Sequence, residues 1–291
     1  MKPAPFEYHA PTTVTDATNL LAEAGDSAKV LAGGQSLVPM LALRLAVFEH
    51  LVDIGRIDEL QGIERRDDAL WIGAGTTQAR VEASDEVASA VPLLTKATPF
   101  VGHFQIRNRG TLGGSIAHAD PAAEYPGVAL ALDASMHVRS SKGRRTIAAR
   151  DFFDSLWTTT MEPDELLDGV SFPIWNGRRS FAVEEFARRH GDFAIAGATV
   201  GIELDEGDRI RRCAIGLIGL GATPERAEAA EAELVDRMIT EIEPDDVGHL
   251  AMAGLESVPD DLHGSAEFRK RVGRAMVARA WATAGAEVRN G

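Results

Sequence analysis

Ala32-Gly33-Gly34-Gln35-Ser36-Leu37 and, far downstream, Thr111-Leu112-Gly113-Gly114-Ser115-Ile116 share one pattern: a glycine pair beside an apolar, strand-like run, with hydroxyl side chains at its edge. Without a Cβ, paired glycines let the backbone come close to a bulky anion. Their successive N–H groups form a concavity that suits phosphate oxygens. One such loop is a common tight turn. Two in one chain point to a diphosphate held from both sides. Around the first loop, Ala28-Lys29-Val30-Leu31-Ala32 reads as a strand, Ser36 is placed to cap a helix, and Pro39 is tolerated in that helix's first turn. Upstream, Ala17, Leu20, Leu21 and Ala24 recur at helical spacing, and Gly25 stands where that helix ends. Downstream, His50 to Ile54 reads as a strand. The result is a small β-loop-α-β unit with the glycine pair at the carboxyl end of its first strand.

From about Glu59 to Pro173, strands are predicted at Leu70 to Ala74, Met136 to Val138 and Gly169 to Phe172, with helices around Val81 to Leu94 and Ala122 to Leu132. Thr111 to Ile116 is expected to open as a strand, and Pro121 suits a helix start. Strands and helices mix without a repeated βαβ rhythm, which favours an α+β architecture. Asn176-Gly177-Arg178-Arg179 has turn chemistry and reads as a boundary. Beyond it lie strand candidates at Thr199 to Leu204 and Arg212 to Leu220. Helices follow at Pro224 to Arg237, Pro244 to Leu255 and Ala266 to Ala284, the last with a stripe of Phe268, Val272, Ala275 and Met276.

Composition narrows the function classes. The 291 residues are 45% hydrophobic and 25% charged, ordinary for a globular protein. The net charge of −14 argues against nucleic acid and anionic membrane surfaces as partners. A bound diphosphate would then depend on local amide dipoles. No apolar run is long enough to span a bilayer, and the first residues lack an apolar signal core, so a cytoplasmic location is expected. Cys213 is the single cysteine. This chain therefore cannot form an intrachain disulfide, a cysteine-rich zinc site or an all-cysteine iron–sulfur cluster. Cys213 lies in an apolar run and is expected in the core.

The residues about the loops divide by chemistry. Gln35 offers a neutral donor, and Thr111 and Ser115 offer hydroxyls. Asp120 and Glu124 share a helix face if a helix begins at Asp120; otherwise Asp120 caps a helix starting at Pro121. Ser115, His118 and Asp120 do not make a hydrolase triad, because they come from one segment and no Gly-x-Ser-x-Gly elbow is present. His118 and Asp120 lack further clustered ligands, so no metal ligand is assigned to this chain. Gly216 to Gly221 has the wrong glycine spacing for a dinucleotide fingerprint, and no lysine follows any glycine loop as a nucleotide triphosphate site requires. Phe193, beside Gly191-Asp192, either stacks on a planar ring or packs in the core; the charges of Arg188-Arg189-His190 suit a solvated turn.

Taken in order, Ala32 to Leu37, then Ile106-Arg107-Asn108-Arg109-Gly110-Thr111-Leu112-Gly113-Gly114-Ser115, then Arg189-His190-Gly191-Asp192-Phe193-Ala194 resemble the FAD-binding medium subunit of the molybdenum hydroxylases, the family of xanthine oxidase and aerobic carbon monoxide dehydrogenase. The resemblance covers essentially the whole chain. It implies a PCMH-type FAD-binding domain at 1–176, made of two α/β subdomains at about 1–58 and 59–176. A C-terminal domain at 177–291 follows, with a three-stranded antiparallel sheet and helices. It also implies site residues: Ala32, Gly33, Gly34, Gln35, Ser36 and Leu37 in a first pyrophosphate loop, and Thr111, Gly113, Gly114 and Ser115 in a second. Asp120 lies beside them, Glu124 stands at an acidic FAD contact, Leu167 at an apolar position beside the cofactor, and Phe193 at an aromatic, often tyrosine, near the isoalloxazine. A lysine that some relatives carry before the arginine pair is replaced here by Glu184-Glu185.

The implied function is electron transfer. A large subunit carries the molybdenum cofactor and hydroxylates substrate, a small subunit carries two [2Fe–2S] clusters, and FAD on this chain passes electrons to an external acceptor, in a dimer of heterotrimers. One cysteine agrees with clusters held elsewhere. No general acid or base is required of this chain. The rival readings are a free-standing flavin oxidoreductase with its own small substrate, and a non-catalytic module whose glycine loops hold another nucleotide or none.

Overall fold

Three hydrophobic cores succeed one another in the computed structural model, which describes residues 2–290. The smallest supports the first glycine loop. β1 (Glu7–His9), β2 (Ala28–Leu31) and β3 (His50–Asp53) form a parallel sheet in the order β1-β3-β2. Two helices provide the crossovers that parallel pairing requires: α1 (Val14–Ala24) and α2 (Leu37–Leu43). Thr13 Oγ1 accepts from the Asp16 amide to cap α1, and Gly25 ends it at φ 54°. Val14, Ala17 and Leu21 pack on Val52 and Ile54. Ser36 occupies the cap position of α2, yet its side chain makes no capping hydrogen bond.

The middle core lies on an antiparallel sheet of order β4-β5-β10-β6-β7, built from β4 (Ile63–Arg66), β5 (Ala69–Gly73), β6 (Ser135–Ser140), β7 (Gly143–Ala148) and β10 (Leu166–Pro173). The helix expected from Val81 to Leu94 is three short ones: α3 (Gln78–Glu82), α4 (Asp85–Ala90) and α5 (Pro92–Ala97). Ser84 caps α4 through its hydroxyl, and Pro92 begins a new helix because it cannot continue the previous one. α6 (Phe104–Arg107), α7 (Leu112–His118) and α8 (Glu124–Ala131) follow. α9 (Ala149–Phe152) then leads to a hairpin of β8 (Phe153–Ser155) and β9 (Thr158–Thr159).

Two expectations here are corrected. Thr111 does not open a strand but caps α7, its Oγ1 accepting from the Gly114 amide at 2.9 Å. Asp120 and Pro121 precede α8 rather than start it. Asp120 Oδ1 closes a turn on the Ala122 amide at 2.9 Å, so Asp120 and Glu124 do not share a helix face.

β11 (Arg178–Phe186), β12 (Ala196–Leu204) and β13 (Ile210–Ile218) form the long antiparallel sheet, with the two-residue β14 (Glu225–Arg226) added at its edge. Every residue of β12 is buried, because both faces of this sheet are covered. Phe181, Val183 and Ala214 face the middle core, while Ala182, Cys213 and Ile215 face the third. That alternation follows from the strand period of two. The helix expected from Pro224 is shorter, α10 (Glu228–Leu234), since Glu225 and Arg226 pair with β13. α11 (Pro244–Ala253) and α12 (Ala266–Asn290) complete the fold. The buried stripe of α12 runs through Arg269, Gly273, Met276, Val277, Ala280 and Trp281; Ala275 of the expected stripe is exposed.

Candidate cofactor-binding site

The first glycine loop leaves the carboxyl end of β2, and a positive φ of 73° at Gly34 turns the chain into α2. Among the described residues, none of the amides of Gly33, Gly34, Gln35 or Ser36 donates to a protein acceptor. Four consecutive uncommitted N–H groups on a tight turn form an anion-binding concavity. Gln35 is less available than its amide suggests, because its Nε2 donates to Gly33 O at 3.0 Å.

The second loop is built differently. Leu112 N donates to Thr76 O at 2.9 Å, Gly113 N to Ala74 O at 3.0 Å, Gly114 N to Thr111 Oγ1 and Ser115 N to Thr111 O at 3.1 Å. Its amides are spent on the chain itself, so free amide donors remain only in the first loop. The second loop contributes the Thr111 and Ser115 hydroxyls and a close fit. A Cβ at Gly113 would lie 2.7 Å from the Ala74 carbonyl oxygen, so this glycine answers to packing on the segment after β5.

The two loops touch. A Cβ on Gly33 would fall 2.6 Å from Gly110 Cα, and one on Gly114 would fall 3.2 Å from Ala32 Cβ. The residues just before Phe193 meet the segment that leads to the second loop. Gly191, at φ 87°, lies against His103, whose ring meets that of His190 edge-on at 5.9 Å. His103 directly precedes α6, which leads into the second loop. Phe193 itself is 58% exposed and not a core residue. The strand behind it is tied down by buried Arg269, whose Nη1 donates to Ile195 O at 2.6 Å and to Gly219 O at 3.2 Å.

Leu167 is buried with Leu112 and Ile116 in the middle core, at the β10 bulge between Leu167 and Gly169. Glu124, only 5% exposed, begins α8. Burial pushes its carboxyl up to about 7, with a smaller contribution from Asp120. Glu185 on β11 is likewise pushed up to about 8 by burial and then by the charge of Glu124, and its Oε2 has no hydrogen-bond partner among the described residues.

Sequence reasoning missed two parts of the site. Gly73-Ala74-Gly75 at the end of β5 supports the second loop, and its glycines beside an apolar strand were a signal of the same kind. Trp157 left none. It is 53% exposed at φ 57°, donates from Nε1 to Asp120 Oδ2 at 3.1 Å, and stacks on His118 at 6.3 Å between ring centroids. Burial lowers the His118 imidazole below its ordinary value, against the opposing pull of Asp120.

Residues 4–175 match the family model of the FAD binding domain in molybdopterin dehydrogenase, and residues 181–284 that of the CO dehydrogenase flavoprotein C-terminal domain. The chain is 42% identical over 284 residues to the 6-hydroxypseudooxynicotine dehydrogenase complex subunit alpha of Paenarthrobacter nicotinovorans, covering 98% of this chain and 96% of that one. It is 39% identical to the caffeine dehydrogenase subunit beta of a Pseudomonas species, over 98% of this chain and 96% of the other. Among solved structures, a chain of reconstituted CO dehydrogenase from Oligotropha carboxidovorans superposes with a TM-score of 0.95 at 35% identity, covering 99% of this chain and 100% of that one.

Proposed function

The chain belongs to the family of FAD-binding medium subunits of the molybdenum hydroxylases, and from that premise we propose that it holds FAD across its two glycine loops and serves as the electron outlet of a multi-subunit dehydrogenase. The observation that carries this reading is the contact of the loops: the uncommitted amides of residues 33–36 lie beside the hydroxyl-bearing start of α7. The amides of Gly33, Gly34 and Ser36 would bind one side of the pyrophosphate, and Thr111 and Ser115 the other. Ala32, Leu37, Gly113 and Leu167 would shape the walls, and Phe193 would lie near the ring. Asp120 would orient Trp157. Burial holds a proton on the Glu124 carboxyl up to about pH 7; in that form it would donate a hydrogen bond, where an ionised carboxylate could only accept. When bound, FAD supplies the step between one-electron donors and a two-electron acceptor.

The electrons would come from two [2Fe–2S] clusters of a small partner subunit, filled by oxidation of substrate at a molybdenum cofactor in a large one. The relatives are named as subunits of complexes, which supports partners of this kind and disfavours a free-standing flavin oxidoreductase. A dimer of such heterotrimers in the cytoplasm is the assembly we propose; no helix among the described residues is long and apolar enough to cross a membrane. We also divide the chain at about residue 176, between β10 and β11, with subdomains at 1–58 and 59–176 and a C-terminal domain at 177–291. The limits of the two family models, 175 and 181, support that division.

The test is a pair of measurements. The purified chain is expected to show flavin absorbance bands, or to recover them on adding FAD. Its flavin is expected to be reduced by substrate only when the partner chains are present. Rapid reduction of the isolated chain by a small organic donor would overturn the subunit reading, and failure to take up FAD would overturn the flavin reading.

A further inference from the structure

At the opposite end of the first sheet from the glycine loop, three metal-ligating side chains converge. The loop leaves the carboxyl end of β2, whereas Glu7 and Ala28 pair with His50 at the amino end of β3. Glu7 and His9 are two residues apart on β1 and so share a face. His50, directly opposite Glu7 in a parallel pair, projects from that same face. His9 Nε2 lies 3.2 Å from His50 Nδ1, and Glu7 Oε2 lies 3.5 Å from His50 Nδ1 and 3.9 Å from His9 Nε2. This is the one group of three such donors within mutual reach among the described residues.

The triangle has the size a metal ion needs. Zinc bonds of about 2.0–2.1 Å in tetrahedral geometry set donor atoms roughly 3.3–3.4 Å apart. The rigid edge between the two imidazoles already matches. The two longer edges end on Glu7, whose flexible side chain is 73% exposed and free to close by a few tenths of an ångström. Two imidazoles with one carboxylate favour zinc and its first-row neighbours over magnesium or calcium, which prefer all-oxygen shells. His9 also lines an open cleft of about 430 Å³ with Asp16, Asn19 and Glu23 of α1. These oxygen donors, on a chain of net charge −14, favour a cation there.

We propose that Glu7, His9 and His50 form a binding site for a divalent transition-metal ion of the zinc class, with its remaining coordination position open beside the cleft under α1. The ion would clip β1, a three-residue edge strand, onto β3. The site is separate from the flavin site, and the inference does not depend on the flavin reading.

The full chain, loaded with FAD and stripped with EDTA, would be titrated with zinc chloride by calorimetry, with magnesium chloride as the control. Wild type is expected to bind about one zinc per chain saturably, to melt at a higher temperature with zinc, and to ignore magnesium. His50→Ala and His9→Ala are expected to lose that binding phase, and Glu7→Gln to weaken it about tenfold, with flavin absorbance unchanged. Zinc affinity of wild-type strength in the His9→Ala variant, or absence of a saturable zinc phase in wild type, would overturn the assignment. Should the histidine variants fold poorly, anomalous scattering from zinc-soaked wild-type crystals decides the matter: a peak among the three side chains supports the site, and a peak elsewhere alone refutes it.

Discussion

A β-carbon on Gly33 would lie 2.6 Å from the Cα of Gly110, so the two glycine loops are in backbone contact. The close approach puts the free amides of the first loop beside the hydroxyl-bearing start of α7. The proposed FAD site therefore depends on the pair of loops and not on either alone.

Gly33→Ala is expected to force the loops apart. Overpacking of this kind costs on the order of 1–3 kcal/mol, and here it acts on the ligand-bound geometry. FAD affinity, read by fluorescence titration, should fall at least about tenfold. Gly254→Ala is the control, since nothing lies within 4 Å of a Cβ there; it should leave both affinity and melting temperature unchanged.

Gly114→Asp is expected to abolish FAD retention by facing a carboxylate toward the pyrophosphate. Its Cβ would also come 2.8 Å from Thr111 Oγ1 and disturb the cap of α7. A stability loss of about 1 kcal/mol, typical of a lost cap, should therefore accompany it. Thr111→Ala loses the cap and one proposed phosphate contact without adding a charge, so it should match the stability loss of Gly114→Asp while weakening FAD retention less. Normal FAD affinity in Gly114→Asp would show that the second loop does not face the cofactor phosphates.

The contribution of Glu124 and Glu185 to stability without FAD should fall as pH rises from about 4.5 to 8, opposed just below pH 6.5 by His118 and His137, whose imidazoles burial lowers. Glu124 and Glu185 ionise near pH 4.5 when unfolded but are pushed up to about 7 and about 8 in the fold. Between those values the native state holds protons that the unfolded state has released. The associated stability is complete below the unfolded value and is lost as pH passes through the folded ones. Burial shifts Glu225 and Glu231 in the same direction. Urea unfolding across this range should show the decline, and a Glu124→Gln, Glu185→Gln double variant should flatten its upper part.

Cys213 should be inert in the native chain. It is 3% exposed, and burial pushes its thiol up to about 12, with the charge of Glu231 adding to the effect. The thiolate is the reactive form, so a thiol reagent should label nothing until denaturant is added, and one site per chain thereafter. Labelling of the native protein at a rate typical of free thiols would contradict this placement.

The sequence by itself determined the β-loop-α-β start of the chain, both glycine pairs, the strands β5, β6, β10, β12 and β13, and the need to hold any iron–sulfur cluster elsewhere. These are local signals: hydrophobic period, turn residues and a residue count. Tertiary structure decided what each glycine is for. Gly33 and Gly113 are required by backbone arriving from distant parts of the chain, Gly34 by its own positive φ. It also decided that Thr111 caps a helix, because threonine suits a strand or a cap equally until the Leu112 and Gly113 amides find the carbonyls of Thr76 and Ala74. Trp157 beside Asp120, the burial that raises the Glu124 and Glu185 carboxyls, and the Glu7, His9 and His50 triangle left no pattern in the sequence. Each depends on a close approach between segments far apart along the chain, and no periodicity reports such an approach.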